Sequence, residues 1–90
     1  MKKTIITVVG HDQVGIIAKV CTYLANNHVN ILDIAQTIVS GYFNMMMIVD
    51  VNEAEKDFGV MALELEQIGK GIGVIIKAQR EDIFDMMHHL

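Results

Sequence analysis

The stretch that decides the fold spans residues 10–20 and reads GHDQVGIIAKV. It follows an apolar, β-branched run over residues 4–9, which is typical of a strand. Two glycines bracket a short polar segment, and apolar residues then recur at helical spacing, so the pattern indicates a tight turn that leads directly into a helix. Such a junction points backbone N–H groups and the positive end of the helix outward, where they can hold a small anion or a carboxylate.

Beyond the first strand, the periodicity of the chain predicts five further elements and a tail. Helices are expected at residues 14–27 and from residue 58, and strands at residues 31–40, 43–51 and 74–79. The second helix is expected to end at a run of three glycines, Gly69, Gly71 and Gly73. The tail over residues 81–90 has the spacing of a short amphipathic helix.

The third predicted strand is apolar on both faces, with Met45, Met47 and Val49 on one and Met46 and Ile48 on the other. A strand covered on one side only would alternate with polar residues, so this strand is expected to be central. Right-handed crossovers place both helices on one face of such a sheet. The sequence therefore predicts a single α+β domain over residues 1–90: a ferredoxin-like βαββαβ sandwich with a four-stranded antiparallel sheet, two helices on one face, and a short C-terminal helix.

The composition limits the classes of partner. Apolar residues make up 52% of the chain and charged residues 20%, so a monomer has more apolar surface than a small core can bury, and we expect a homodimer. A net charge of −4 with no basic cluster beyond Lys2 and Lys3 argues against nucleic-acid binding. No apolar run is long enough to cross a bilayer, so no membrane association is expected. A single cysteine, Cys21, fits a reducing, cytoplasmic location.

The turn and the start of the second predicted strand resemble the ligand-binding segments of the ACT domain family. That family carries an acidic residue, two variable positions, a glycine and then aliphatic helix residues, and residues 12–17 read DQVGII. It also carries asparagine and isoleucine where the second strand begins, as this chain does. The resemblance implies a regulatory module that senses an amino acid or a related small molecule near a subunit interface. The ligand-binding residues that it implies are His11, Asp12, Gln13, Val14, Gly15, Ile16, Asn30 and Ile31.

An amino acid suits such a site because it carries two opposite charges. Its carboxylate can accept from N–H groups near Gly15, its ammonium can donate to Asp12 or Asn30, and the fold is expected to bring the three together. Each residue also has a structural interpretation: Asp12 or Gln13 can cap the helix, Gly15 can let the helix approach the sheet, and Asn30 can satisfy a backbone group. Many family members have proline or arginine in the turn, so Gln13 and Val14 predict a less rigid turn without a cation.

The sequence shows no enzymatic machinery. It has no nucleophile–base pair or carboxylate pair, and the glycines at residues 69–73 lack the strand-before, helix-after context of a phosphate-binding loop. The four histidines have no metal-ligand spacing, so neither a metal nor a cofactor is expected: His11, His28, His88 and His89. The amino-acid sensor therefore competes with one alternative, a ligand-free protein-interaction adaptor of the same fold. Either would regulate a partner protein.

Overall fold

The computed structural model describes residues 2–87, and these residues confirm the predicted βαββαβ order. The elements in chain order are the strand β1 (Lys3–His11), the helix α1 (Ile16–Asn26), the strands β2 (Asn30–Val39) and β3 (Tyr42–Asp50), the helix α2 (Phe58–Ile72), the strand β4 (Val74–Arg80) and the helix α3 (Glu81–Met87). The sheet order is β2-β3-β1-β4 with antiparallel neighbours throughout, so β1 and β3 are central as predicted. The tail histidines, His88 and His89, lie outside the described residues.

The two faces of β3 are buried to different extents. Met45, Met47 and Val49 are at most 1% exposed, because they form the centre of the core with the apolar stripes of α1 and α2. On the opposite face Met46 is 42% exposed and Ile48 is half-buried. The strand β3 is therefore central, as predicted, and its second face is partly covered.

The helix α3 provides part of the cover on that second face. Ile5 points away from α1 and α2 and is nevertheless buried. Gln79, its partner across the β1–β4 ladder, donates from Nε2 to Met87 Sδ at 3.4 Å. Among the described strands, the helix α3 packs mainly against β1 and β4, so it does not cover the whole face. Side chains such as Tyr42 and Ile75 remain exposed on the rest of it.

The start of α1 corrects the prediction that Asp12 or Gln13 caps it. The helix begins at Ile16, and Gly15 occupies the N-cap position without a side-chain cap. An N-cap side chain reaches the N–H groups two or three residues ahead of it. Residues that precede Gly15 by two or three positions are therefore too far from the helix for this role.

The helix α2 runs through two of the glycines that were expected to end it. It continues past Gly69 and Gly71 to Ile72, and Gly73 provides a left-handed C-cap at φ 77°. Gly69 is buried, and a Cβ at this position would lie 2.6 Å from the carbonyl oxygen of Val74. Gly69 therefore lets α2 approach the start of β4 closely.

A polar cluster joins α1 to α2 at the surface. Tyr23 Oη donates to Glu64 Oε1 at 2.6 Å, and Lys56 Nζ donates to the same oxygen at 2.8 Å. The hydrogen bond from Lys56, followed by that from Tyr23, holds the pKa of Glu64 below its ordinary value. Burial, and then the bond to Glu64, raise the pKa of Tyr23. Both shifts favour the same state, a charged carboxylate beside a protonated phenol.

This cluster predicts a loss of stability in acid. In the unfolded chain the Glu64 carboxyl titrates at about pH 4.3, and in the folded protein it titrates at a lower pH. The stability it contributes is therefore fully present above the unfolded pKa and is lost as the pH falls through the folded pKa. In urea titrations, Glu64→Gln should be less stable than the wild type near neutral pH, and the difference should vanish in acid. A difference that stays constant with pH would contradict this assignment.

Candidate functional site

The turn between β1 and α1 (residues 12–15) is held from two sides. The backbone N–H of Asp12 donates to the carbonyl oxygen of Gly41 at 2.8 Å, which ties the turn to the β2–β3 hairpin. The side-chain Nε2 of Gln13 donates to the carbonyl oxygen of Ile72 at 2.6 Å, which ties the turn to the end of α2. Gln13 therefore anchors the turn through a side-chain hydrogen bond that proline could not make.

The β2–β3 hairpin turns at Ser40 and Gly41, so the second strand ends one residue before its predicted end and the third begins one residue before its predicted start. The φ angles of Ser40 and Gly41, 51° and 81°, are both left-handed, as in a two-residue type I′ turn. Tyr42 begins β3, and its ring stacks on His11 with centroids 4.7 Å apart. Gly41 and Ile72 thus support the site although the sequence did not point to them. The Ser-Gly dipeptide was a usable signal for the first, whereas Ile72 acts through its backbone carbonyl and has no signature.

Gly15 leaves the first amides of α1 open. Its φ of 96° is left-handed, a conformation that glycine adopts at little cost. No described side chain caps α1 and its first turn has no acidic residue, so the amides of Ile16 and Ile17 face outward at the positive end of the helix. A Cβ on Gly15 would meet nothing within 4 Å. The backbone angle therefore requires this glycine, and a close approach of α1 to the sheet does not.

Within one chain the turn is an open ledge and not an enclosed pocket. All residues from His11 to Gly15 are exposed, and Val14 at the tip is fully so. Ile16, which was predicted to bind the ligand, has its side chain in the core, so only its backbone amide faces the open turn. The turn thus offers amide donors, the Asp12 carboxylate and an apolar tip, a set suited to binding. A second surface would be needed to bury most of a ligand.

Asn30 and Ile31 lie at the opposite end of the sheet, so the expectation that one chain brings them to the turn is wrong. The β1–β3 ladder joins the turn end of β1 to Tyr42. The β2–β3 ladder places Val39 opposite Tyr42 and Asn30 opposite Asp50. The turn therefore adjoins the end of β2. The length of the strand, at roughly 3.3 Å per residue, separates it from the start of β2.

The strand β2 is a free edge with much apolar surface. It pairs with β3 on one side only, and all its residues except half-buried Ile31 are exposed. Ile34, Ile38 and Val39 are 43%, 55% and 66% exposed. A β-bulge and the one charged residue, Asp33, are confined to the start of the strand. The remainder lacks the charges, bulges and prolines by which edge strands usually avoid pairing with another chain.

Comparison with known families settles the fold family. The sequence profile of the ACT domain matches residues 2–79, nearly all of the described chain. The chain belongs to the ACT domain family. ACT domains are regulatory ligand-binding domains, so the resemblance drawn from the turn and from the start of the second strand is confirmed.

This ACT domain has relatives of the same length and neighbours in larger proteins. A UPF0237 protein of Bifidobacterium longum is 63% identical over 90 residues, which cover 100% of both chains. An ACT domain protein from Streptococcus pneumoniae is 40% identical, covers 93% of this chain and 94% of that one, and has a TM-score of 0.81. The regulatory subunit of aspartate kinase from Thermus thermophilus is 30% identical over 87% of this chain and 50% of that one, with a TM-score of 0.63.

Among residues 2–87, no group of three or more His, Cys, Asp or Glu side chains is placed to hold a metal ion. No described helix is long and apolar enough to span a bilayer. Cys21 is a free, half-buried thiol on α1.

Proposed function

We propose that this ACT domain senses an amino acid at the β1–α1 turn and acts through a homodimer. The observation that carries the proposal is the uncapped start of α1 at Gly15, in the same turn as the carboxylate of Asp12. Amide donors at a helix start favour a carboxylate, and Asp12 favours an ammonium group, so the turn matches both charges of an amino acid. Val14 at the exposed tip is placed to contact an apolar ligand side chain.

A second copy of the chain would complete this site through β2. Two β2 strands related by a two-fold axis pair antiparallel, with the start of one opposite the end of the other. The end of β2 leads into Gly41, whose carbonyl oxygen accepts from Asp12. The partner's Asn30 would therefore lie at the edge of the same turn. This geometry supports a site in which the ligand contacts the turn of one chain and the partner's Asn30.

A ligand that bridges two chains has a defined effect on assembly. It binds the dimer and not the separate monomers, so by linkage it strengthens the dimer. Occupancy of the turn thereby controls how much dimer is present, and a regulated partner protein that recognises the dimer would respond to the amino acid concentration.

The proposal predicts that one of the twenty amino acids binds. A dissociation constant of about 1–1000 μM, or roughly 4–8 kcal/mol, is expected for a small ligand held by a few polar contacts. At one hundred times that constant, the ligand should raise the free energy of unfolding by about 2.7 kcal/mol. A thermal-shift screen, followed by titration calorimetry of each hit, measures both quantities. If no amino acid binds, the sensor proposal fails.

A ligand-free protein-interaction adaptor is the alternative, and the apolar edge of β2 favours it. Ile34, Ile38 and Val39 suit the added strand of another protein as well as that of a second copy. The two functions differ in sedimentation equilibrium, because only a sensor changes its average mass when its amino acid is added. The open amides beside Asp12 support the sensor, since an adaptor that docks through β2 does not need them.

A further inference from the structure

The second free edge of the sheet is β4, on the side away from β2. This strand pairs with β1 only, so the N–H and C=O groups on its outer side are open to an added strand. A groove runs along this edge. It consists of two clefts of about 430 and 340 Å³ that share Ala78 and Gln79, and together they follow β4 from Ile76 to Arg80. The edge is therefore accessible along most of its length.

The helix α2 forms one wall of this groove, called here the β4 groove. Two small residues of α2, Gly59 and Ala62, leave space beside the strand, and a Cβ at Gly59 would meet nothing within 4 Å. Leu63, which is 57% exposed, adds apolar surface to the same wall. In a strand added to β4, every second side chain would point to the helix side of the sheet and meet this wall. The β4 groove thus suits a strand with apolar residues at alternate positions.

Lys77 argues against a second copy of the chain as that strand. It is the middle residue of β4 (Val74–Arg80), and it is exposed on the face away from Ile76 and the core. If two β4 strands paired antiparallel over their full length, Lys77 would lie opposite the partner's Lys77. Like charges directly opposite each other destabilise a strand pair. The edge strand β2 differs, because its one charge, Asp33, lies near its start.

The charges of the β4 groove instead favour an acidic segment. Lys77 and Arg80 supply two cations and Glu66 supplies one anion, which leaves a net charge of +1 in a chain whose net charge is −4. Arg80 Nε lies 3.7 Å from Asp82 Oδ1, and Glu66 Oε1 lies 3.5 Å from Lys70 Nζ. No carboxylate among residues 2–87 forms an ion pair with Lys77. Lys77 is therefore the cation that can pair with a carboxylate from outside.

We propose that β4 docks an extended segment of a partner protein in which an acidic residue lies between two apolar residues. The segment pairs with β4 as a fifth strand of the sheet. Its carboxylate lies opposite Lys77, and the two flanking apolar side chains pack on Ala62 and Leu63. Neither the amino acid site nor the β2 interface is needed for this contact. In a dimer joined through β2, one such edge lies at each end of the combined sheet, so each chain docks one partner.

Titration of the whole protein with a capped peptide of sequence STVDVTS tests the proposal. The peptide is as long as β4, and its palindromic sequence presents the same side chains in either strand direction. Saturable amide NMR shifts are expected at residues 75–79 and at Leu63, and not at residues 12–15 or 34–39. The peptide STPDPTS keeps the charge but cannot form a regular strand, so it should not bind.

An exchange of charges tests the contact with Lys77. The peptide STVKVTS should bind the wild type about fivefold more weakly than STVDVTS, because it places two ammonium groups opposite each other. In Lys77→Glu the order should reverse, with STVKVTS binding more tightly than STVDVTS. The reversal would assign the preference to this pair and not to the overall charge of the protein.

A pair of variants in α2 tests the apolar wall. Leu63→Glu replaces the apolar contact by a charged group, and we expect it to weaken STVDVTS binding about tenfold. Val60→Glu is the matched control, because it also replaces an exposed apolar residue of α2 by glutamate but does not line the β4 groove. It should bind the peptide as the wild type does.

Several results would overturn the proposal. They are the absence of saturable shifts, equal affinity of the wild type for STVDVTS and STVKVTS, and shifts confined to residues 34–39, which would place docking at β2. If STVDVTS binds at β4 and lowers the average mass in sedimentation equilibrium, the occupant of this edge is a second copy of the chain. A failed amino acid screen does not affect these readouts, because β4 shares no residue with the turn at residues 12–15.

Discussion

Replacing Gly69 by alanine is expected to lower the free energy of unfolding by about 2 kcal/mol, whereas Gly71→Ala is expected to raise it by roughly 0.5–1 kcal/mol. The two glycines share α2 but not their surroundings. A Cβ at position 69 would lie 2.6 Å from the carbonyl oxygen of Val74, and one at position 71 would meet nothing within 4 Å. The Val74 oxygen belongs to the backbone of β4, so no rotamer change relieves the clash and α2 must shift. Overpacking destabilises a core by up to about 3 kcal/mol, and the higher helix propensity of alanine stabilises the helix by about 1 kcal/mol. The difference between these two contributions is the expected loss in the free energy of unfolding.

Urea and thermal unfolding of the two variants measure the difference. In a domain of this size each kcal/mol changes the Tm by about 4–8 °C, so the variants should differ in Tm by roughly 10–20 °C. Each variant serves as the control for the other, because both replace a glycine by alanine in the same helix. Equal stability of the two would show that Gly69 does not set the distance between α2 and β4.

The fold was predictable where its signals are local. The run of apolar residues on both faces of β3 predicts that this strand is central, and the sheet order confirms it. The roles of the glycines were not predictable in this way. Gly15 and Gly69 look alike in the sequence, but one is required for a left-handed φ and the other for a close approach to β4. Only the folded chain, which brings Val74 against α2, separates these two reasons.

The candidate site was predictable in part. The turn at residues 12–15 is a local motif, and its uncapped helix start follows from Gly15. The placement of Asn30 beside the turn was wrong, because a sequence motif does not show at which end of the sheet a strand begins. The chain leaves β1 at the turn, returns along α1 and therefore begins β2 at the other end of the sheet. Spacing along the sequence could not show this, whereas the topology does. The same topology is the reason why the proposed function assigns Asn30 to the turn of a second chain.

Asn30→Ala and Gly15→Val are each expected to weaken amino acid binding at least tenfold when one variant forms both chains of the dimer. Gly15→Val forces a β-branched residue into a φ of 96° and displaces the amides at the start of α1. Asn30→Ala would remove the proposed hydrogen bond to the charged ligand, and a bond of this type contributes about 1.5–3 kcal/mol, or a factor of roughly 10–150. Both positions are exposed, so both variants should fold, and circular dichroism checks this.

A one-to-one mixture of the two variants is expected to recover one quarter of the wild-type binding capacity, at wild-type affinity. Random pairing makes about half of the dimers mixed, and each mixed dimer has one site with an intact turn and the partner's Asn30. The other site of that dimer carries both defects. Titration calorimetry with the amino acid found in the screen, after the two variants are refolded together, measures the stoichiometry.

The mixture separates a shared site from a site within one chain. If each chain formed its site alone, no mixture would recover capacity, because every turn would meet residue 30 of its own chain. Ile34→Lys provides the control for the interface: it places like charges near the two-fold axis of the β2 pair and leaves Gly15 and Asn30 unchanged. It should sediment as a monomer and lose the ligand, whereas Leu63→Lys, on the exposed side of α2, should do neither. If Ile34→Lys still forms a dimer with full binding, the interface lies away from β2. Any recovery of binding capacity in the mixture would then mean that the two chains contact each other through another surface.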